Sequence, residues 1–127
     1  MRKGPMRRKA FLDLVAEAVE KIPSYFRQKL DNVEIVVEDW PWDEILDELG
    51  VPPGETLFGL YQGVPKTERS VYQLPTLPDR IILFQGPIEE ACREPREIRE
   101  QIRQTIIHEI AHHFGISEER LEELGAT

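Results

Sequence analysis

Two histidines and a glutamate occur at the spacing that zinc hydrolases use. Residues 108–112 read His-Glu-Ile-Ala-His, which is the H-E-x-x-H pattern. On an α-helix, residues i and i+4 differ by about 40° around the axis and about 6 Å along it, so both imidazoles can reach one metal ion. Glu109 lies about 100° from His108, beside the metal ligands, where its carboxylate can accept a proton from water. The pattern therefore predicts a zinc-assisted hydrolytic site.

The residues after the motif offer a third ligand. The stretch 113–118 reads HFGISE, which extends the pattern to H-E-x-x-H-x-x-G-x-x-E. Gly115 can adopt the left-handed conformation that ends a helix, and the resulting turn can bring Glu118 back to the metal. The alternative is that Glu118 is an acid in the first turn of a helix capped by Ser117. The other candidate ligands are the downstream glutamates Glu119, Glu122 and Glu123, or a glutamate upstream of the motif.

The neighbours of the two ligands differ in their positions around the helix. The chain has three histidines, and all lie within six residues. His113 lies about 140° from His108, which predicts a packing or supporting role and not ligation. Gln101 and Thr105 share the helix face of the two ligands and are candidates to contact those ligands from outside the metal site. The alternative is that both are ordinary solvated helix residues.

One long helix must position these residues. Pro95 suits the first turn of a helix over about 96–114. Its apolar residues recur at helical spacing and widen into a broad arc towards the C-terminal end, which predicts burial over most of its girth. These residues are Ile98, Ile102, Ile106, Ile107, Ile110, Ala111 and Phe114. His108 and His112 fall outside that arc and are predicted to face a cleft.

The remaining segments predict a compact unit of helices and strands. Strands are expected over 33–38 (VEIVVE) and 80–85 (RIILFQ), with a shorter strand near 57–61. Helices are expected over about 7–22, 23–30, 43–49 and 88–93, and after Ser117. Residues 50–79 are rich in glycine and proline and are predicted to hold a long loop. Trp40 and Trp42 are predicted to pack in the core.

Length and charge limit the classes of protein to which this chain can belong. The 127 residues suit one domain, and the formal net charge of −8 argues against nucleic acid as the main partner. Cys92 is the single cysteine, which allows no internal disulfide and fits a cytoplasmic setting. No apolar run approaches the ~18 residues of a membrane span. Residues 1–10 are predicted to be a basic, flexible N-terminal arm before a domain over 11–127, although contact of the arm with RNA or acidic lipid stays open.

The motif and two upstream segments resemble a known family. Residues 108–125 (HEIAHHFGISEERLEELG), with 67–70 (TERS) and 77–83 (LPDRIIL), resemble a family of small bacterial zincin-like metallopeptidases. The resemblance covers nearly the whole chain from about Phe11. It implies a single-domain α+β minimal zincin fold, with a small mixed sheet packed against the HExxH helix. It also implies Zn²⁺ bound by His108 and His112, with Glu109 as the general base.

The sequence thus predicts a zinc metallopeptidase that acts on peptides or unfolded protein segments. Full metzincins have a methionine turn after the third ligand, whereas the only methionines here are Met1 and Met6. Two alternatives stay open, a metal-dependent endoribonuclease and a non-catalytic zinc-binding regulatory module. A compact group of endoribonucleases has a related three-histidine site without a glutamate after the first histidine, so Glu109 and Glu118 count against that alternative. A structural zinc site normally has four protein ligands.

Overall fold

Nine elements form the part of the chain that the structure describes. The structure is a computed structural model, and it describes residues 6–63 and 78–126. The helices are α1 (Arg8–Glu20), α2 (Ser24–Lys29), α3 (Asp43–Glu48), α4 (Gln85–Ala91), α5 (Pro95–Phe114) and α6 (Glu118–Glu123). The strands are β1 (Val33–Glu38), β2 (Gly59–Gln62) and β3 (Asp79–Phe84). The segments 67–70 and 71–77, which carry part of the family resemblance and of the predicted loop, lie outside the described residues.

The three strands form a mixed sheet in the order β1-β3-β2. β1 runs parallel to β3, with Val33 opposite Asp79, and β2 runs antiparallel to β3, with Gly59 opposite Leu83. The central position of β3 explains its continuous apolar run, because the strand has a neighbour on each side and is buried from Ile81 onward. The sheet is the small mixed sheet that the resemblance implies, and the domain is α+β.

The hydrophobic core lies between this sheet, α1 and α5. Helix α1 contributes Phe11 and Ala18, both with no exposed surface, and packs against α5. Most of the predicted apolar arc of α5 is buried, and only its last member, Phe114, is exposed. The prediction that Phe114 is buried is wrong because this residue ends α5, one turn beyond the last buried position. Its ring instead lies under the Lys29 ammonium, 4.7 Å from the ring centroid.

The two tryptophans are not core residues, contrary to the prediction. Trp40 is 54% exposed and Trp42 is 40% exposed. Both follow β1 and contact the region where β3 passes into α4. Trp42 packs edge-on against Phe84, with the ring centroids 6.1 Å apart, and the Trp40 indole lies directly over Gly86.

The predicted helix over 88–93 begins three residues earlier than expected, at Gln85. β3 therefore passes directly into α4 without a loop. Pro87 stands in the first turn of α4, where it is tolerated because backbone N–H groups there have no intrahelical acceptor. The Gly86 N–H instead donates to the carbonyl of Asp39, 2.8 Å away, which joins the start of α4 to the end of β1.

Arg8 attaches the start of α1 to the same end of the sheet. Its guanidinium donates to Oε1 of Gln85 and to the Val37 carbonyl, both at 2.8 Å, and forms an ion pair with Asp39. The buried Gln85 side chain in turn donates to the Met6 carbonyl at 2.8 Å. The last three residues of the predicted 1–10 arm thus belong to α1, and residues 1–5 lie outside the described part. Among the described residues, no helix combines the length and hydropathy that crossing a membrane requires.

A close approach between β2 and α5 requires glycine at position 59. A Cβ atom at Gly59 would lie 2.7 Å from Cγ2 of Thr105 and 3.0 Å from the backbone oxygen of Ile82. Outside its own residue and that residue's two chain neighbours, a Cβ atom essentially never has another heavy atom within 3.0 Å. The missing side chain therefore lets the edge strand lie directly against α5, the helix that carries the histidines.

We expect Gly59→Ala to lower the free energy of unfolding by about 1–3 kcal/mol, the usual cost of overpacking. Chemical denaturation monitored by circular dichroism measures this change. The matched control is Gly63→Ala, because a Cβ atom there would lie 3.4 Å from its nearest described neighbour, Cε1 of His113. An equal effect of the two substitutions would contradict the close approach as the reason for glycine at position 59.

Candidate active site

The two predicted metal ligands lie on the last two turns of α5. The buried residues of this helix occupy the side that faces the core, whereas His108 and His112 are both exposed. Since they are separated by four residues, their side chains project from the same helix face. The helix thus presents two imidazoles to solvent side by side, as the H-E-x-x-H spacing predicts.

The chain turns sharply after the histidines, also as predicted. Gly115 ends α5 in the left-handed conformation, with φ of 68°. Its place at the helix terminus is typical of glycine, which has no Cβ to make this conformation costly. Ser117 then caps α6, because its hydroxyl accepts a hydrogen bond from the Arg120 N–H at 3.1 Å. This cap places Glu118 in the first turn of α6, where it is exposed.

The third metal ligand is still a prediction. Within residues 6–63 and 78–126, no three His, Cys, Asp or Glu side chains are grouped so that they could hold a metal ion. The exposed Glu118 is one short turn of chain away from α5, with Glu119 beside it. The structure therefore presents the histidine pair as a unit and does not distinguish among Glu118, Glu119, Glu122 and Glu123.

Glu109 faces a different environment from that of its histidine neighbours. It is half-buried, and its Oε1 accepts a hydrogen bond from the Tyr61 N–H at 2.8 Å. Burial raises the pKa of the Glu109 carboxyl, while the Tyr61 amide and the charges of His112 and His108 act in the opposite direction. In the described part of the chain, no hydrogen bond reaches the second carboxylate oxygen, Oε2. One of the two carboxylate oxygens is therefore held by the backbone of β2.

Strand β2 brings the Tyr61 amide to this position. The Phe58 carbonyl accepts a hydrogen bond from the Phe84 N–H, so alternate residues of β2 bond to β3. Tyr61, opposite Ile81, belongs to the other set, and its N–H faces the outer edge of β2, away from β3. Helix α5 lies along that edge, and Glu109 supplies the acceptor. This edge of β2 thus runs beside the candidate catalytic glutamate.

The Tyr61 side chain joins three elements next to the site. Its hydroxyl donates to Oδ2 of Asp79, the first residue of β3, at 2.7 Å. Its ring stacks on His113 of α5, with centroids 3.9 Å apart and planes 15° apart. Nε2 of His113 lies 3.9 Å from the same Asp79 oxygen. Burial and the Asp79 carboxylate raise the pKa of the Tyr61 phenol, which stays protonated as a donor.

His113 therefore packs beside the site, as its helix angle predicts, whereas Gln101 and Thr105 bond to each other. The Gln101 side-chain amide donates to Oγ1 of the buried Thr105 at 3.1 Å. Sequence reasoning missed Tyr61 and named Asp79 only as part of the 77–83 segment. Tyr61 is 48 residues from Glu109 in the chain, and no local pattern connects the two.

The donor chemistry of the site fits a zinc ion. Two imidazoles stand together on one helix face, and a carboxylate that can act as a base stands beside them. Neutral imidazoles and carboxylate oxygens are ordinary zinc ligands, and a catalytic zinc site takes three protein ligands. The histidine pair thus supplies two of the three protein ligands, and a third ligand is needed to complete such a site.

Comparison with known proteins gives a family and a fold. The family profile described as zincin-like metallopeptidase matches residues 30–126. A solved structure, a conserved hypothetical protein from Thermus thermophilus, is similar with a TM-score of 0.57 and 23% sequence identity, covering 86% of this chain and 94% of that chain. At this identity, the likeness shows a shared fold alone. No curated protein matches the sequence.

Adjacent histidines provide a matched test of the metal centre. Loss of a residue that hydrogen-bonds a metal ligand costs about 10–100-fold in metal affinity. Because loss of a ligand itself costs more, we expect His112→Ala to weaken Zn²⁺ binding by more than about 100-fold. His113→Ala should change the affinity only a few-fold, because His113 packs on Tyr61. Competition with a chromophoric chelator measures both affinities. Equal losses in the two variants would contradict the assignment of His112 as a ligand.

Proposed function

Because the chain belongs to the zincin-like metallopeptidase family, whose profile matches residues 30–126, we propose that it is a zinc-dependent peptidase. Its substrates are peptides or unfolded protein segments, and the reaction is hydrolysis of the peptide bond. The observation that carries the proposal is the position of Glu109, half-buried beside two exposed histidines and held by one carboxylate oxygen.

His108 and His112 bind the metal in this proposal, and Glu118 is the third ligand. The spacing of the two histidines on one face of α5 supports their joint role. The left-handed turn at Gly115 supports the use of Glu118, since it places this residue directly after the histidine helix. The Ser117 cap matches the alternative, in which Glu118 is an acid in the first turn of α6. When bound, a zinc ion supplies Lewis-acid chemistry, polarising the carbonyl and making water acidic near neutral pH.

Glu109 moves the proton in the proposed reaction. Oε1 is held by the Tyr61 amide, so Oε2 takes a proton from the attacking water as the oxygen bonds to the carbonyl carbon. When the C–N bond breaks, the same carboxyl gives that proton to the leaving amine. The second proton of the water then passes from the new carboxyl group to the amine, so the products are a carboxylate and a protonated amine. Partial burial favours this role because it makes the Glu109 carboxylate a stronger base than an exposed one.

The outer edge of β2 is the expected place for an extended substrate, at the main-chain groups that the contacts with Thr105 and Glu109 of α5 leave open. The described sheet has two edges, β1 and β2, and only β2 is next to Glu109 through the Tyr61 amide. An extended peptide can add to such an edge by main-chain hydrogen bonds, which recognise any sequence. The carbonyl of Tyr61 suits that contact, because the alternation of β2 turns it away from β3. This placement favours flexible segments over folded proteins as substrates.

A Glu109→Gln variant tests the proposal. We expect it to bind one Zn²⁺ per chain as the wild type does, but to lose about 10²–10⁴-fold in the rate of peptide hydrolysis, since a general base contributes on that scale. A library of quenched fluorescent peptides and metal analysis provide the two readouts. Glu97→Gln is the control, because it makes the same charge change at an exposed position in the first turn of the same helix.

Equal hydrolysis by the wild type and Glu109→Gln would overturn the assignment of the base. RNA cleavage that persists in Glu109→Gln would instead support the endoribonuclease. Zinc binding without hydrolysis of any peptide or RNA would support a regulatory module.

A further inference from the structure

We propose that Tyr61 is a positioning residue, which fixes the Glu109 carboxylate through its backbone amide and holds that amide in place through its side chain. The inference rests on the proposed function for its kinetic consequence. The contact itself, however, is a property of β2 and α5 and can be measured without any substrate.

The backbone of β2 leaves the Tyr61 N–H without an acceptor in the sheet, because this group faces away from β3. An unpaired N–H in a partly buried place is costly, and a carboxylate is a strong acceptor. The 2.8 Å bond to Oε1 of Glu109 meets both needs. It also fixes the rotation of the carboxylate group, because it binds one of the two oxygens.

A backbone amide can position Glu109 only if the strand itself is fixed relative to α5. Two contacts of the Tyr61 side chain provide this. The stacked ring of His113 belongs to α5, four residues after Glu109 and therefore one turn further along the helix. The Asp79 carboxylate, which accepts the Tyr61 hydroxyl, belongs to the central strand β3. Tyr61 thus contacts α5 at two successive turns and is anchored to β3 as well.

Close packing one turn earlier completes the alignment. Gly59 lies two residues before Tyr61 in β2 and directly against Thr105, which is four residues before Glu109. β2 and α5 are therefore in contact at three successive turns, at Thr105, Glu109 and His113. A shift of the strand at Tyr61 would act on Glu109, which its amide contacts, and in the described part of the chain no hydrogen bond or ring contact joins β2 to the proposed ligands His108 and His112.

Two substitutions of Tyr61 remove one or both of its side-chain contacts and test how each loss changes kcat. Tyr61→Phe removes the bond to Asp79 but keeps the ring stack, and we expect it to lower kcat by about 3–10-fold. Tyr61→Ala removes both contacts and should lower kcat by about 10–100-fold, as misplacement of a catalytic group does. The affinity for Zn²⁺ should stay within about twofold of wild type in both variants. Tyr25→Phe, an exposed tyrosine of α2, is the matched control and should leave kcat unchanged.

Amide hydrogen exchange by NMR gives a readout that is independent of activity. In Glu109→Ala, the amide of Tyr61 should exchange at least about tenfold faster than in wild type, because its acceptor is gone. The amide of Leu60 faces β3 and should keep its protection, which reports that the sheet is intact. In Tyr61→Ala, the amide of residue 61 should also exchange faster while that of Leu60 does not.

Two results would overturn the inference. One is unchanged exchange at Tyr61 in Glu109→Ala, which would show that the contact does not hold the strand. The other is a loss of kcat in Tyr61→Phe and Tyr61→Ala that is matched by equal losses of zinc affinity and thermal stability, which is what a structural role alone produces. If the wild-type protein hydrolyses no peptide, the proposed function fails, and the exchange rates at residue 61 still decide the positioning contact.

Discussion

Burial of the isoleucines of α5 is the interaction on which the rest of the structure depends. Ile102, Ile106, Ile107 and Ile110 have no exposed surface. Isoleucine is not a strong helix former, but its propensity costs at most about 0.7 kcal/mol per residue, whereas full burial of its side chain contributes about 1.5–3 kcal/mol. Burial therefore decides both that this segment is helical and how it is rotated. That rotation leaves His108 and His112 exposed together and directs Glu109 towards β2.

A second constraint follows from how closely β2 lies against that helix. Glycine at position 59 permits the contact with Thr105, and the same alignment turns the Tyr61 amide to Glu109. A half-buried carboxylate is unfavourable without a donor, and a free amide on a strand edge is unfavourable without an acceptor. The Tyr61 amide is the donor that the Glu109 carboxylate needs, and the carboxylate is the acceptor that the amide needs. The polar contact is thus a consequence of the packing, and it gives Glu109 a defined orientation that its exposed neighbours lack.

Local patterns predicted most of the elements because each element is determined mainly by its own residues. Val33–Glu38 forms the predicted strand, and α5 starts one residue before the expected position and ends where expected. Gly115 and Ser117 act as their residue types predict, since helix termination and capping involve only neighbours in the chain. The shared face of the histidine pair also follows from spacing alone, although metal binding itself is still a prediction.

Features that depend on distant parts of the chain could not be predicted in this way. The burial of Trp40 and Trp42 depends on what covers the end of the sheet, and in the described structure both side chains are exposed. The early start of α4 depends on the bond from Gly86 to Asp39, across the sheet. The Tyr61 contact with Glu109 joins two elements that no sequence period relates. The identity of the third metal ligand could not be predicted in this way either, because it depends on how α6 lies against α5.

Locating zinc in the protein is the most direct test of the proposed metal centre. Crystals of the zinc-loaded protein, measured on both sides of the zinc absorption edge, yield an anomalous difference map that shows the metal independently of any assumed site. We predict one strong peak bonded to the imidazoles of His108 and His112, with a downstream glutamate completing the protein ligands. A peak elsewhere in the molecule, or full zinc loading with no peak at the two histidines, would contradict this prediction.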